Sequence, residues 1–490
     1  MVSVPTSRIR NLNTQPVRGS GEFVLCWMTI HRRLDRNFAL QRAVEWAVRL
    51  GRPLLVFEGL RHDYPWASDR LHRFIIEGMV DNRLAAAGKP YIYLPWVDPG
   101  NGSGKGLIER LAARACVVVT DEFPCFFIPA MLAKIGPRLP VAAEAVDANG
   151  LLPLTIGVGK DRAVDFRRQL QHLLPAHLGH FPAVDPAAGV SLPRLALADL
   201  PRASDLEQLL APGGLAGFPI DHTVVPVATR GGGREARNKL AAFLAQKLDR
   251  YADERSDLEA DCASGLAPYL HHGHLAAQEV VQAIWDRYAW SPDRLAPKPT
   301  GSREGWWGLP PGPEGFLDQI LTWRELGYHF CHRHPDYASY ASLPAWARST
   351  LDAHAGDPRP RLYDRATFAA AATHDPLWNA AQRQLLREGG MHNYLRMLWG
   401  KKVLEWSASP AEAVATLIDL NNRYALDGRN PNSYSGIMWT FGRFDRPWGP
   451  TRPIFGSIRY MSSDNTAKKM KVTGYLERYG AAPARQERIF

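Results

Sequence analysis

The first 160 residues alternate short apolar runs with stretches of helical period, and this alternation limits the fold more than any other feature. FVLCWM (23–28), PLLVF (53–57), YIYL (91–94) and CVVVT (116–120) are apolar along most of their length, as in strands covered on both faces. Between them, 39–49, 69–86 and 106–113 carry the spacing of amphipathic helices, and a last short strand is expected at 142–146. The pattern predicts an α/β unit on a doubly wound parallel sheet. From residue 235 helical patterns dominate: 235–252, 275–288, 314–333, 375–387, 391–406 and 410–424. Residues from about 155 to 230 are rich in Pro, Gly and Ala and hold no sustained period. A chain of 490 residues exceeds one ordinary core. The expected plan is a flexible arm over 1–20, an α/β domain over 21–160, a linker over 161–230 and a larger all-α domain over 231–490.

Composition removes several classes. With 46% hydrophobic residues the chain is globular, and no apolar run approaches the roughly 20 residues that span a bilayer. The start, MVSVPTSRIRNLNTQPV, has no apolar core of a secretory signal. Five scattered cysteines without a CxxC suit a reducing cytoplasm. The net charge is +10, and residues 441–490 hold ten Lys/Arg against four Asp/Glu, a balance that favours a polyanion such as nucleic acid. The 15 tryptophans are numerous enough to stack on bases or carry electrons, although most belong in a core.

Several motifs fail on their spacing. NGSGKG (101–106) lacks the first glycine of a phosphate loop and has Gly106 where Ser or Thr would hold magnesium, so it reads as a loop. No GxGxxG follows the first strand. The histidines of HHGH (271–274) and the CHRH run (331–334) match no zinc spacing, and no metal is expected. GxSxG and HExxH are absent. SGLAPYLH (264–271) differs: a small hydroxyl residue and free N–H groups before a helix suit a phosphate, or merely an ordinary N-cap.

That segment is one of an ordered set. SGLAPYLHHGHLAAQ (264–278), WREL (323–326), DPLWNAAQ (375–382), MHNYLRMLWGKKVLEW (391–406), DGRNPNSYSGIMW (427–439) and RPIFGSIRYM (452–461) resemble the photolyase/cryptochrome flavoproteins, and most closely the class II cyclobutane pyrimidine dimer photolyases. VTDEFP (119–124) and VDANGLLP (146–153) match more loosely, and the likeness runs from about Val24 to Gly480.

The resemblance implies non-covalent FAD inside the helical domain. Tyr251, Ser264 and Leu266 would fall in the segments around its phosphates and ribityl chain, with Arg324 and Asn393 also in the cofactor pocket. Arg396 and Asp427 would form the acid–guanidinium pair beside the isoalloxazine, and Asn432 would face flavin N5. Trp399 next to the flavin, Trp378 in the middle and Trp406 outermost near solvent would make an electron relay; the two on 391–406 lie seven residues apart, on one side of the helix. Trp439 would wall a flipped lesion, with Trp448 and Arg459 filling the gap left in duplex DNA. The implied activity is light-driven repair of cyclobutane pyrimidine dimers by an electron from reduced FAD, in a cytoplasmic monomer acting on damaged DNA, with room for a second antenna chromophore such as a deazaflavin. Three departures bear on this: Trp323 stands where class II enzymes usually carry an arginine, TFGRFDRPWG (440–449) differs from the usual family segment and is one residue shorter, and position 319 differs too. Gln319 stands where class II enzymes usually carry a glutamate that contacts the dimer. It can donate a hydrogen bond but carries no charge, which admits a cryptochrome-like photoreceptor that photoreduces FAD with weak or no repair. A light-independent DNA-binding or structural flavoprotein is the third reading.

Overall fold

The computed structural model describes residues 3–160, 162–195 and 200–480. The last ten residues of the expected helical domain, the first two of the arm, and 161 and 196–199 of the expected linker lie outside that set.

Six strands form one sheet in the order β1-β6-β5-β2-β3-β4: β1 (Ile9–Asn11), β2 (Phe23–Met28), β3 (Leu54–Leu60), β4 (Ile92–Val97), β5 (Ala115–Asp121) and β6 (Ala143–Val146). Pairings among β2 to β6 are parallel. The apolar runs behave as read: all residues of β2, β5 and β6 are buried. Helices α1 (Phe38–Leu50), α2 (Asp69–Ala85), α3 (Leu107–Arg114) and α4 (Ile128–Ile135) supply the crossovers, α1 being capped by the Asn37 side-chain oxygen and ended by Gly51 in the left-handed region.

Two expectations at the edge of this unit are corrected. The arm is tied down: Ile9, Arg10 and Asn11 pair antiparallel with Val146, Ala145 and Glu144, so the sheet is mixed rather than wholly parallel. Arg8 is buried and donates to the carbonyls of Asp147 and Leu151. The linker likewise contains a helix, Ala163–Leu173, that buries Phe166 and Leu170 and sends Arg167 to a buried two-point ion pair with Asp318 at 2.6 and 3.0 Å.

The order in which the strands are laid down reverses between β2 and β5, the place where doubly wound sheets bind phosphates. Here the chain fills that place itself. The Asp121 carboxylate accepts N–H bonds from Thr29, Ile30 and His31 at 2.7, 2.9 and 3.2 Å. This gives the missing glycine fingerprint a physical reason, because the amides that would meet a phosphate already hold an anion.

The rest of the chain is helical, as expected, and packs on the sheet unit through buried polar ties. Arg70 of α2 donates to the carbonyls of Leu386 and Tyr424, at the ends of helices Pro376–Glu388 and Pro410–Tyr424. Glu325 accepts from Leu151 N–H at 2.6 Å and Gln278 donates to the Gly150 carbonyl at 2.7 Å, so the VDANGLLP turn is clamped by the helical region. Burial pushes the Glu325 carboxyl up to about 7. The expected helix over 314–333 is interrupted. Pro311–Leu317 passes through one π-helical stretch, Asp318–Trp323, before Arg324–Arg333 resumes the α form. Such widened turns re-aim side chains and occur often at functional sites. Asp318 turns inward to Arg167, while Gln319 and Trp323 face an open cavity.

Candidate functional site

That cavity, about 520 Å³, lies among the helices. Nine of the residues singled out in the sequence line it: Tyr251, Ser264, Gln319, Arg324, Asn393, Asp427, Asn432, Trp439 and Arg459. They come from segments up to 208 residues apart, so convergence is a property of the fold and not of local sequence. Six others stand apart from the lining: Leu266, which is fully buried, Arg396, Trp399, Trp378, Trp406 and Trp448.

Two of the lining residues carry buried polar atoms that no described residue satisfies. Asn432 Oδ1 and Arg324 Nη1 are buried without a hydrogen-bond partner among the described residues, a costly state for either group alone. Asn432 is held by its place at the start of helix Pro431–Thr440, where the Asn430 side chain accepts its N–H at 2.9 Å. It can approach Arg324–Arg333 so closely only because position 327 is glycine; a Cβ there would stand 2.3 Å from Asn432 Oδ1. Arg396 and Asp427 pair through two parallel contacts of 3.3 and 3.4 Å. Their side chains keep 33% and 16% exposure, so the pair is partly solvated. Ser264 precedes only a single turn, Ala267–His271, and accepts the Leu266 N–H at 3.4 Å. The phosphate-suited helix start is therefore not a full helix dipole.

Helix Asn393–Trp406 shows three faces. Asn393, Tyr394 and Met397 look into the cavity; Leu395 and Leu398 join an apolar cluster with Leu377 and Ala380; Trp399 and Trp406 meet Trp378. The Trp378 and Trp399 rings lie 6.5 Å apart and nearly parallel (8°), and Trp378 and Trp406 lie 6.1 Å apart at 67°. Trp378 therefore packs against both of the other rings. Trp406 corrects the expectation of a solvent-facing end, because it is only 2% exposed. It sits beneath His374 (4.9 Å), Tyr363 (5.8 Å) and the Lys402 ammonium (5.4 Å).

Sequence reasoning passed over Trp323 as a wall residue. Its ring packs on Trp439 at 5.1 Å and 32°, giving the cavity an aromatic side. The available signal was its spacing of four from Gln319. At the mouth, Arg446 and Arg459 lie over the half-exposed Trp448 at 4.8 and 5.2 Å. A flat aromatic beside two cations is suited to bases and phosphates.

Comparison with known proteins decides the family. The chain is 32% identical over 477 residues to a deoxyribodipyrimidine photo-lyase of Methanothermobacter thermautotrophicus, covering 97% of this chain and 98% of that protein. The chain belongs to the photolyase/cryptochrome family. A photo-lyase of Arabidopsis thaliana bearing the same name is 31% identical over 492 residues, covering 97% and 93% of the two chains. Among solved structures, a class III photolyase from Agrobacterium tumefaciens aligns with a TM-score of 0.66 at 17% identity over 94% of this chain and 86% of that one. A Synechocystis sp. PCC6803 cryptochrome aligns with the same TM-score at 16% identity, over 98% and 89%. These two likenesses establish the photolyase/cryptochrome fold, an α/β unit with a parallel-dominated sheet followed by a larger helical region. No protein-family model matches the chain.

A second, larger cavity of about 740 Å³ opens at the carboxyl ends of the strands. Trp27, Phe57, Tyr64, Trp96, Phe126 and Phe127 line it, with Arg61, Lys105 and Lys134 among its polar groups. The NGSGKG segment, read as a plain loop, contributes Gly102, Gly104, Lys105 and Gly106 to this wall. The two cavities share a partition: Asn430 lines the first, His271 the second, and they are joined by a 3.1 Å hydrogen bond. Burial drives His271 well below its usual pKa, so its Nδ1 is a neutral acceptor for the Asn430 amide. Among the described residues no group of three or more His, Cys, Asp or Glu is arranged to hold a metal, and none of their helices is long and apolar enough to cross a membrane.

Proposed function

We propose that the protein uses non-covalent FAD in the 520 Å³ cavity for light-driven repair of cyclobutane pyrimidine dimers in DNA. The observation that carries this reading is the convergence of nine expected residues on one cavity among the helices. Reduced flavin, when bound and excited by light, supplies the electron that splits the dimer.

The chain's residues bind and orient. Asp427, steered by the forked Arg396, is an acceptor for a ring N–H such as flavin N3. Asn432 offers flavin N5 a neutral amide that bonds either redox state without adding charge. Tyr251 and Ser264 lie where the phosphates and ribityl chain would run, with Arg255 beside them as counter-charge. The tilted, contacting rings of Trp323 and Trp439 form an apolar face for two linked pyrimidines of one strand turned out of the helix, which costs less at a damaged step. Arg459 and Trp448 stand at the entrance, where cations gain affinity by displacing counterions from DNA. Gln319 reaches the same space as a donor without acidity. We place an aromatic antenna chromophore such as a deazaflavin in the 740 Å³ cavity, on the support of its aromatic lining. The five free, buried cysteines support a reducing, cytoplasmic setting, and we take the working unit to be a monomer with domains divided near residues 160 and 230.

The test is to reduce the purified protein, illuminate it with dimer-containing oligonucleotide and assay restored thymines. Normal lesion binding without turnover would sink repair. It would favour a photoreceptor that photoreduces FAD and has lost repair, a reading that Gln319 supports.

A further inference from the structure

We propose that Gln382 is a positioning residue that keeps the Trp399 indole protonated while it is oxidised; the idea rests on the tryptophan relay proposed for this site. Gln382 lies in helix Pro376–Glu388, one turn beyond Trp378, and is completely buried. Its Oε1 accepts the Trp399 Nε1–H at 2.9 Å. An indole nitrogen can only donate, so the amide must present its oxygen to Trp399, and its NH2 turns towards the Ala369 carbonyl at 3.5 Å. Trp378 Nε1–H in turn donates to the Trp399 carbonyl oxygen at 3.0 Å.

Both acceptors are amide-type oxygens, one from a side chain and one from the backbone. Each stabilises a positive indole, because hydrogen bonds to charged groups are stronger than those to neutral ones. Neither is basic enough to remove a proton. When an electron leaves Trp399 towards the flavin, the indole becomes a radical cation and its Nε1 proton stays in place. One electron from Trp378 then restores neutral Trp399 and moves the cation to Trp378, again without proton movement. Transfer along these two stations is thereby limited to electrons. A basic group at position 382 would instead trap the hole as a neutral radical whose refilling needs a proton as well.

The test uses flavin-loaded protein and time-resolved absorption, which separates protonated from neutral indole radicals. In a Trp378→Phe background, which holds the hole on Trp399, the native Gln382 should give only the protonated radical, with no dependence on pH. Adding Gln382→Glu should give a neutral, longer-lived radical above the pKa of the buried carboxyl and the protonated one below it. Gln382→Met, in the otherwise native chain, should lower the yield of oxidised Trp399 roughly tenfold by removing the charge-strengthened bond. A neutral radical with Gln382 in place overturns the proposal, as does a Gln382→Glu radical that stays protonated at every pH at which the protein is folded. If Trp399→Phe photoreduces normally, the relay itself fails and Gln382 loses its role with it. Loss of photoreduction in Trp399→Phe, combined with an unchanged Gln382→Glu radical, removes the Gln382 proposal alone.

Discussion

Lowering the pH from 7 to 5 should destabilise this protein steeply, and the loss can be worked from its buried histidines. Burial holds His31, His72 and His329 at about 4 and His274 at about 3, against an ordinary 6.5. A histidine whose folded pKa is depressed favours folding fully only above its unfolded pKa, and that contribution is lost as pH falls from about 6.5 towards the folded value. At pH 5 each of the four has given up about 2 kcal/mol, since each unit of pH costs about 1.36 kcal/mol per proton bound only by the unfolded chain. Glu325 acts in the opposite sense. Its folded pKa of about 7 lies above the ordinary 4.5, so the folded state takes up its proton first and regains about 2 kcal/mol by pH 5. The net loss from these five groups is on the order of 6 kcal/mol, comparable with the whole stability of many domains, and His271 and His272, held down by burial as well, add in the same direction. Urea unfolding at pH 7.5, 6 and 5 measures it. His329 offers a check at one position, because among the described residues neither of its ring nitrogens has a hydrogen-bond partner, and its nearest carboxylate, Glu325, stands 3.9 Å away. His329→Met should flatten the slope by one proton. A stability that stays level between pH 7 and 5 would refute the reasoning.

Three further outcomes follow from the site. Trp399→Phe should abolish or strongly slow photoreduction of bound flavin while far-ultraviolet circular dichroism stays native; steady illumination with absorbance detection decides, and an unchanged rate removes Trp399 from the relay. Gln319→Glu should raise the rate of thymine restoration per absorbed photon without changing flavin content, because it adds a charge and an acid in the cavity next to Trp323; an equal or lower rate would show that the amide suffices. Gly327→Ala places a Cβ 2.3 Å from Asn432 Oδ1 and 3.3 Å from Asn432 Cα. Overpacking of this kind costs about 1–3 kcal/mol, against a helix-propensity gain of about 1. A near-neutral to modest loss in urea unfolding should therefore accompany weaker flavin retention on gel filtration.

What could be read in the sequence, and what could not, follows from where each structural cause resides. β2 was read to the residue because six consecutive apolar side chains have no other good use in a chain of this kind. β1 escaped notice because IRN is three residues long and partly exposed, and its reason for existing is the unpaired edge of β6, over 130 residues away. The π stretch at Asp318–Trp323 was invisible for a different reason: one extra residue in a turn leaves composition untouched while turning Asp318 inward and Gln319 outward. Site residues were legible only as members of ordered motifs, and their convergence on one cavity is tertiary. Trp323, as a wall residue, and Gln382 were missed although each stands four residues from a residue already singled out, Gln319 and Trp378. Helix Asn393–Trp406 explains why such positions are hard to read. A helix with one buried face shows a polar stripe and an apolar stripe, but this one meets a polar cavity, an apolar cluster and an indole relay at once. Its polar groups and tryptophans therefore fall all around the axis, and periodicity, which averages over faces, has nothing to separate.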